Sequence, residues 1–116
     1  MTLSELAEII RSNRYRFADE YDLQDGIAEA LRLAEVPFER EVRVRGGRLD
    51  FLVEGMAIEV KVTCSRSSVE RQVRRYIEGE EVDGVLVVAM TPKHGAIPET
   101  ISGKPVEVVV LAGAGL

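Results

Sequence analysis

The chain has 116 residues, 46% of them apolar and 30% charged, which suits a single globular domain over residues 1–116 with one core and leaves no length for a second. Its single cysteine, Cys64, excludes an internal disulfide, and its single histidine, His94, argues against a nitrogen–sulfur metal site, so any metal should be a hard cation held by oxygen. No apolar run approaches the roughly twenty residues of a membrane span and no signal peptide is evident, which predicts a cytoplasmic chain without a membrane partner.

Thr2 and Glu5 form a capping-box pair that predicts a short first helix carrying Leu3, Leu6, Ile9 and Ile10. Residues 11–18 read as a connector. Leu23, Ile27, Ala30, Leu31 and Ala34 fall at helical spacing and predict a second helix over 19–34, ended by Val36-Pro37. Glu20 and Gln24, four apart, border its apolar stripe.

Residues 38–45 then read as a strand, and Gly46-Gly47 as a two-residue hairpin turn, pairing Arg45 with Arg48, Val44 with Leu49 and Val42 with Phe51. Glu54-Gly55 predicts a second tight turn, pairing Val53 with Met56. The resulting three-strand meander has one apolar face: Val42, Val44, Leu49, Phe51, Val53, Met56, Ile58, Val60 and Val62. Its other face carries the charges. There Asp50 is expected directly opposite Glu59, and Arg48 opposite Lys61, with opposed Cβ atoms about 4.5–5.5 Å apart.

Ser67 and Glu70 predict a cap for a helix over 68–78 with Val69, Val73, Tyr76 and Ile77 facing inward and Gln72 among them. The apolar run 84–90 reads as a strand buried on both faces, reached by a right-handed parallel crossover. Residues 106–111 form a final strand and 112–116 a tail. The fold class is therefore α/β: a mixed sheet of four to five strands, an antiparallel meander plus a parallel crossover strand, flanked by helices.

The net charge of −5 weighs against a nucleic-acid partner, yet the charge is uneven. Residues 38–76 hold nine Lys/Arg against six Asp/Glu, while the rest of the chain is strongly acidic. Three of those six acids are Asp50, Glu54 and Glu59, so a bound divalent ion would make this region more basic still, which is compatible with phosphate binding.

Two carboxylates and a lysine at this spacing suit phosphodiester hydrolysis. Mg²⁺ or Mn²⁺ activates water and neutralises developing charge, and carboxylates are its natural ligands. Asp50 and Glu59 supply oxygens, the main-chain carbonyl of Val60 a third, and Lys61 is placed to orient or deprotonate the water.

Asp50, eight intervening residues and then Glu59-Val60-Lys61 resemble the metal-binding motif of the PD-(D/E)XK nuclease superfamily. Gln72-Val73-Arg74-Arg75-Tyr76 is similar to the Gln-x-x-x-Tyr element of its RecB-like members, and the order of elements over residues 20–90 matches the superfamily core. Leu49 stands where the superfamily is named for proline. Small virus-type nucleases and Holliday-junction resolvases share this scale. The resemblance implies a restriction-endonuclease-like core and a metal-dependent deoxyribonuclease. Its metal shell would be completed by Glu20 or, one turn later, Gln24. Asp50, Glu59, Lys61, Gln72 and Glu20 become the catalytic candidates, and Arg43, Arg45, Arg48, Tyr76 and Gln24 the substrate contacts.

So small a chain has no separate recognition domain. Cleavage is expected to be structure-selective or partner-directed, on branched, single-stranded or duplex DNA, and a homodimer would engage two strands. The alternatives are a non-catalytic nucleic-acid-binding module and a protein-interaction subunit on the same fold.

Overall fold

Thr2 caps the first helix, α1 (Leu3–Arg11), with its hydroxyl accepting from the Glu5 N–H at 3.1 Å while the Glu5 carboxylate accepts from the Thr2 N–H at 2.8 Å. This is the expected capping box, in a computed structural model that describes residues 1–62, 66–90 and 97–111. The second helix, α2 (Glu20–Leu33), starts under Asp19, whose carboxylate accepts from the Asp22 N–H at 2.8 Å. Its end is set before Pro37. Glu35 takes φ 57°, and the N–H groups of Glu35 and Val36 return to the carbonyls of Arg32 and Leu31. That is a Schellman closure made without glycine.

Next come β1 (Glu39–Val44), β2 (Gly47–Val53) and β3 (Met56–Lys61), then α3 (Arg66–Ile77) and β4 (Gly84–Ala89). They are followed by β5 (Thr100–Ile101) and β6 (Lys104–Val110). Among the described residues the sheet has six strands in the order β1-β2-β3-β4-β6-β5. β1, β2 and β3 pair antiparallel, β3, β4 and β6 parallel, and β5 antiparallel to β6. The mixed α/β class is as expected, with one strand more. β5 is two residues long, too short for a periodic signal. Helix α3 starts at Arg66, so Ser67 lies inside it rather than capping it. Cys64, His94 and the tail 112–116 lie outside the described residues.

Helices α1 and α2 cover one side of the sheet, where Leu6, Ile10, Leu23, Ile27 and Leu31 pack with Phe51, Ile58, Val60, Leu86 and Val109. Helix α3 covers the other, through Val69, Val73, Tyr76 and Ile77 against Ala57, Val85, Val87 and Ala89. β4 lies between the two layers and is buried at all six positions, the reason its sequence after Gly84 is unbroken Val, Leu and Ala.

Two expectations about the meander are corrected. The first hairpin pairs Val44 with Gly47, Arg43 with Arg48 and Val42 with Leu49, two residues away from the expected register, with Arg45-Gly46 as the turn. Contact with α3 decides this. A Cβ on Gly46 would lie 2.7 Å from the Arg75 carbonyl oxygen, and Gly47 holds φ 141° with the Tyr76 ring beside it. The expected single apolar face is also split. Val42, Val44 and Leu49 pack on the α3 side, whereas Phe51, Val53, Met56, Ile58 and Val60 pack on the α1/α2 side. Residues two apart in a regular strand share a face, so alternation breaks between Leu49 and Phe51. Opposite that break Glu41 has φ 53°, a conformation unusual for a residue with a Cβ.

The second turn is as expected: Glu54 (φ 47°) and Gly55 (φ 82°) are both left-handed, the signature of a type I′ hairpin, and Val53 pairs with Met56.

The end of α3 is held from an unexpected quarter. Lys104, at the start of β6, donates from Nζ to the carbonyls of Ile77 (2.9 Å), Gly79 (3.0 Å) and Val82 (2.6 Å). One ammonium thereby satisfies three carbonyls at and beyond a helix C-terminus, where positive charge is favoured. Lys104→Met is expected to lower the unfolding free energy by roughly 3 kcal/mol, the scale of charge-assisted hydrogen bonds, as read from urea denaturation.

Candidate active site

Strands β2 and β3 part company at the expected site. Their ladder runs Val53↔Met56, Leu52↔Ala57 and Phe51↔Ile58 and ends one pair short of Asp50 and Glu59. Beyond it the Asp50 carboxylate accepts from the Val60 N–H at 2.8 Å, so a side chain substitutes for a ladder bond. The break in β2 alternation falls at this same residue. The expected pairing of Arg48 with Lys61 lies beyond the end of this ladder, and on the β1 side Arg48 pairs with Arg43 rather than Arg45.

Glu59 shares the α3 side of β3 with Ala57, pairs in register with Val87 of β4, and is 2% exposed. Its Oε2 lies 3.1 Å from Lys61 Nζ, a contact between neighbours two apart on one strand. Its Oε1 is buried with no hydrogen-bond partner. Glu20, the first residue of α2, reaches the end of β3 from another element, and its Oε2 accepts from the Val62 N–H at 3.4 Å. Gln24 lies buried one turn later in α2.

The electrostatics bind these groups into one site. Burial pushes the Glu59 carboxyl up to about 7, and the nearby Asp50 and Glu20 carboxylates add to the rise, while Lys61 opposes it. Burial likewise raises Asp50, offset in part by the Val60 N–H and by the charges of Lys61 and Arg48. Crowded, desolvated carboxylates that resist ionisation are the kind of group found at functional sites.

Tyr76 is 1% exposed. Its hydroxyl donates to the Arg48 carbonyl and accepts from Gln72 Nε2, both at 2.8 Å. Burial first, and then the Glu59 and Asp50 charges, raise its hydroxyl well above the ordinary range. The Gln72 amide nitrogen thus points at Tyr76. Arg43, Arg45 and Arg48 are exposed, with Arg48 4.0 Å from Glu41. Arg45 joins Arg75, Glu78, Gly46 and Gly79 around an open cleft of about 310 Å³.

The main-chain partners of this network, the N–H of Val60 and Val62 and the carbonyl of Arg48, carry no sequence signal, because any residue offers them. The donor set itself, three carboxylates with one orphaned buried oxygen, suits a hard divalent cation. Among the described residues no three Asp, Glu, His or Cys side chains form a group placed to hold a metal ion. One oxygen each of Asp50, Glu59 and Glu20 is turned to Val60 N–H, Lys61 and Val62 N–H respectively. No described helix is long and apolar enough to cross a membrane. No family model matches the chain, and no curated protein or solved structure matches it.

Proposed function

We propose that the chain is a metal-dependent deoxyribonuclease of the PD-(D/E)XK type, hydrolysing phosphodiester bonds in a structure-selective or partner-directed manner. The observation that carries this reading is Glu59: a buried carboxylate with one oxygen on Lys61 and the other unpartnered, beside Asp50 at the point where two strands diverge. A purely structural carboxylate in such a place would be expected to have both oxygens satisfied. The β3–α3–β4 crossover between helical layers also supports the finer reading of a restriction-endonuclease-like core.

Asp50 and Glu59, with the Val60 carbonyl and Glu20, would hold Mg²⁺ or Mn²⁺, which supplies Lewis-acid activation of water and charge neutralisation when bound. Lys61 would hold the attacking water and take its proton. Arg48, Arg43 and Arg45 would meet the phosphates of the DNA backbone.

Plasmid, single-stranded and branched DNA incubated with the pure chain provide the test. Cleavage of at least one substrate is expected with Mg²⁺ or Mn²⁺, and none with EDTA. Metal-independent cleavage would remove the mechanism. Binding of DNA with no cleavage of any substrate would favour a binding module on this fold.

A further inference from the structure

We infer that Tyr76 and Gln72 are positioning residues, which hold Asp50 in place through the backbone of β2, rather than groups that touch the substrate. The inference rests on the nuclease reading for its catalytic consequence alone.

Three consecutive residues of the β1–β2 hairpin are seated on α3. Gly46 approaches so closely that a Cβ would stand 2.7 Å from the Arg75 carbonyl oxygen. At Gly47 a Cβ would stand 3.5 Å from the Tyr76 ring. Arg48 then gives its carbonyl to the Tyr76 hydroxyl at 2.8 Å. Leu49 is fully buried in the α3 layer, and Phe51 fully buried in the opposite one. Asp50 is therefore the residue at which β2 passes from one layer to the other.

The strand before Asp50 is tied to α3 and the strand after it to β3, where Phe51 pairs with Ile58. Held at both ends, Asp50 meets the Val60 N–H. The Tyr76 hydroxyl has its donor capacity used by Arg48 and accepts from Gln72, and its side chain is buried. That arrangement leaves its proton nothing to offer a phosphate and makes Gln72 a brace for the tyrosine. Supporting hydrogen bonds of this kind fix the orientation of the groups that do the chemistry.

Amide hydrogen exchange of the full chain, followed residue by residue by NMR, tests this without any need for activity. The Val60 N–H reports on its bond to Asp50, and Val88, its partner in register on β4, reports on the sheet. Asp50→Ala should accelerate Val60 exchange selectively. Tyr76→Phe should do the same by about tenfold, the scale of one hydrogen bond, with Val88 unchanged. Should Tyr76→Phe loosen Val88 as well, Gln72→Leu repeats the test on the brace alone and should give a smaller selective loss at Val60.

Kinetically, Tyr76→Phe should lower kcat for DNA by about tenfold and leave KM within about twofold. Val60 exchange unchanged in Tyr76→Phe and Gln72→Leu would overturn the inference. So would a raised KM with kcat and Val60 intact, the signature of a substrate contact. If the wild-type chain cleaves nothing, the nuclease reading falls, and the exchange result alone decides this one.

Discussion

Asp50→Asn is expected to reduce DNA cleavage to the lower limit of detection, at least about 10³-fold, without unfolding the protein, and Lys61→Met to reduce it by about 10²–10⁴-fold. The two changes separate charge from shape. An asparagine carbonyl can still accept from the Val60 N–H, so the bond that replaces the ladder between β2 and β3 survives. What disappears is a negative charge in a desolvated site, where it is worth most to a cation. Methionine keeps the packed stem of Lys61, whose side chain is 16% exposed, and removes the ammonium beside Glu59. Initial rates on the best DNA substrate, with circular dichroism to verify folding, decide the matter. Two well-folded variants that cut within about twofold of wild type would place the chemistry elsewhere.

Sequence reading succeeds here where one local interaction settles the conformation, and fails where two layers compete. The Thr2/Glu5 cap and the Glu54-Gly55 turn need only their own neighbours, so both are legible from a few residues. The Gly46-Gly47 pair carries an equally strong hairpin signal, yet the turn falls on Arg45-Gly46. The backbone of α3 at Arg75 and the ring of Tyr76 occupy the space, and no local rule foresees a helix 30 residues away.

The uniform apolar face fails for a related reason. Leu49 and Phe51 are both core residues, as their chemistry requires, but they belong to different cores. Period-two alternation identifies burial and assumes one layer to be buried in. The site inherits this limit. Asp50, Glu59 and Lys61 are legible as residues, and the spacing brings them onto adjacent strands, Asp50 in the middle of β2 and Glu59 and Lys61 toward the end of β3. That Asp50 sits where the strand changes layers, and is held by main-chain groups, is a property of the fold.

This placement also bears on how a chain of 116 residues can carry a buried charged site. A regular ladder through Asp50 and Glu59 would set two carboxylates face to face on one sheet surface, an unfavourable pairing. Ending the ladder lets Asp50 turn to the Val60 N–H and Glu59 to Lys61, and brings Glu20 to Val62 from α2. Each carboxylate gains a donor, and the unsatisfied remainder is concentrated on one atom, Glu59 Oε1.

That remainder has a measurable cost. Glu59→Gln is expected to stabilise the protein above neutral pH while abolishing cleavage, a trade between activity and stability that strained sites commonly show. The folded-state pKa of Glu59 is raised from 4.5 to about 7, chiefly by burial and secondarily by Asp50. In the interval between those values the folded state binds more protons than the unfolded state, so stability falls as pH rises. Below 4.5 the group is protonated in both states and the penalty is absent; above about 7 it is fully present. At about 1.4 kcal/mol per pH unit the penalty is on the order of 3 kcal/mol. Glutamine retains the size and an acceptor for Lys61 and carries no charge to desolvate. Urea denaturation of wild type and Glu59→Gln should therefore give similar stabilities at pH 4.5 and a widening gap toward pH 8, with the variant the more stable. Saturating Mg²⁺ should raise wild-type stability at pH 8 and leave Glu59→Gln nearly unmoved, because a cation that binds only the folded state stabilises it by mass action. A gap that is flat with pH would show that Glu59 is ionised without penalty in the folded protein, and would leave its unpartnered oxygen without an energetic signature.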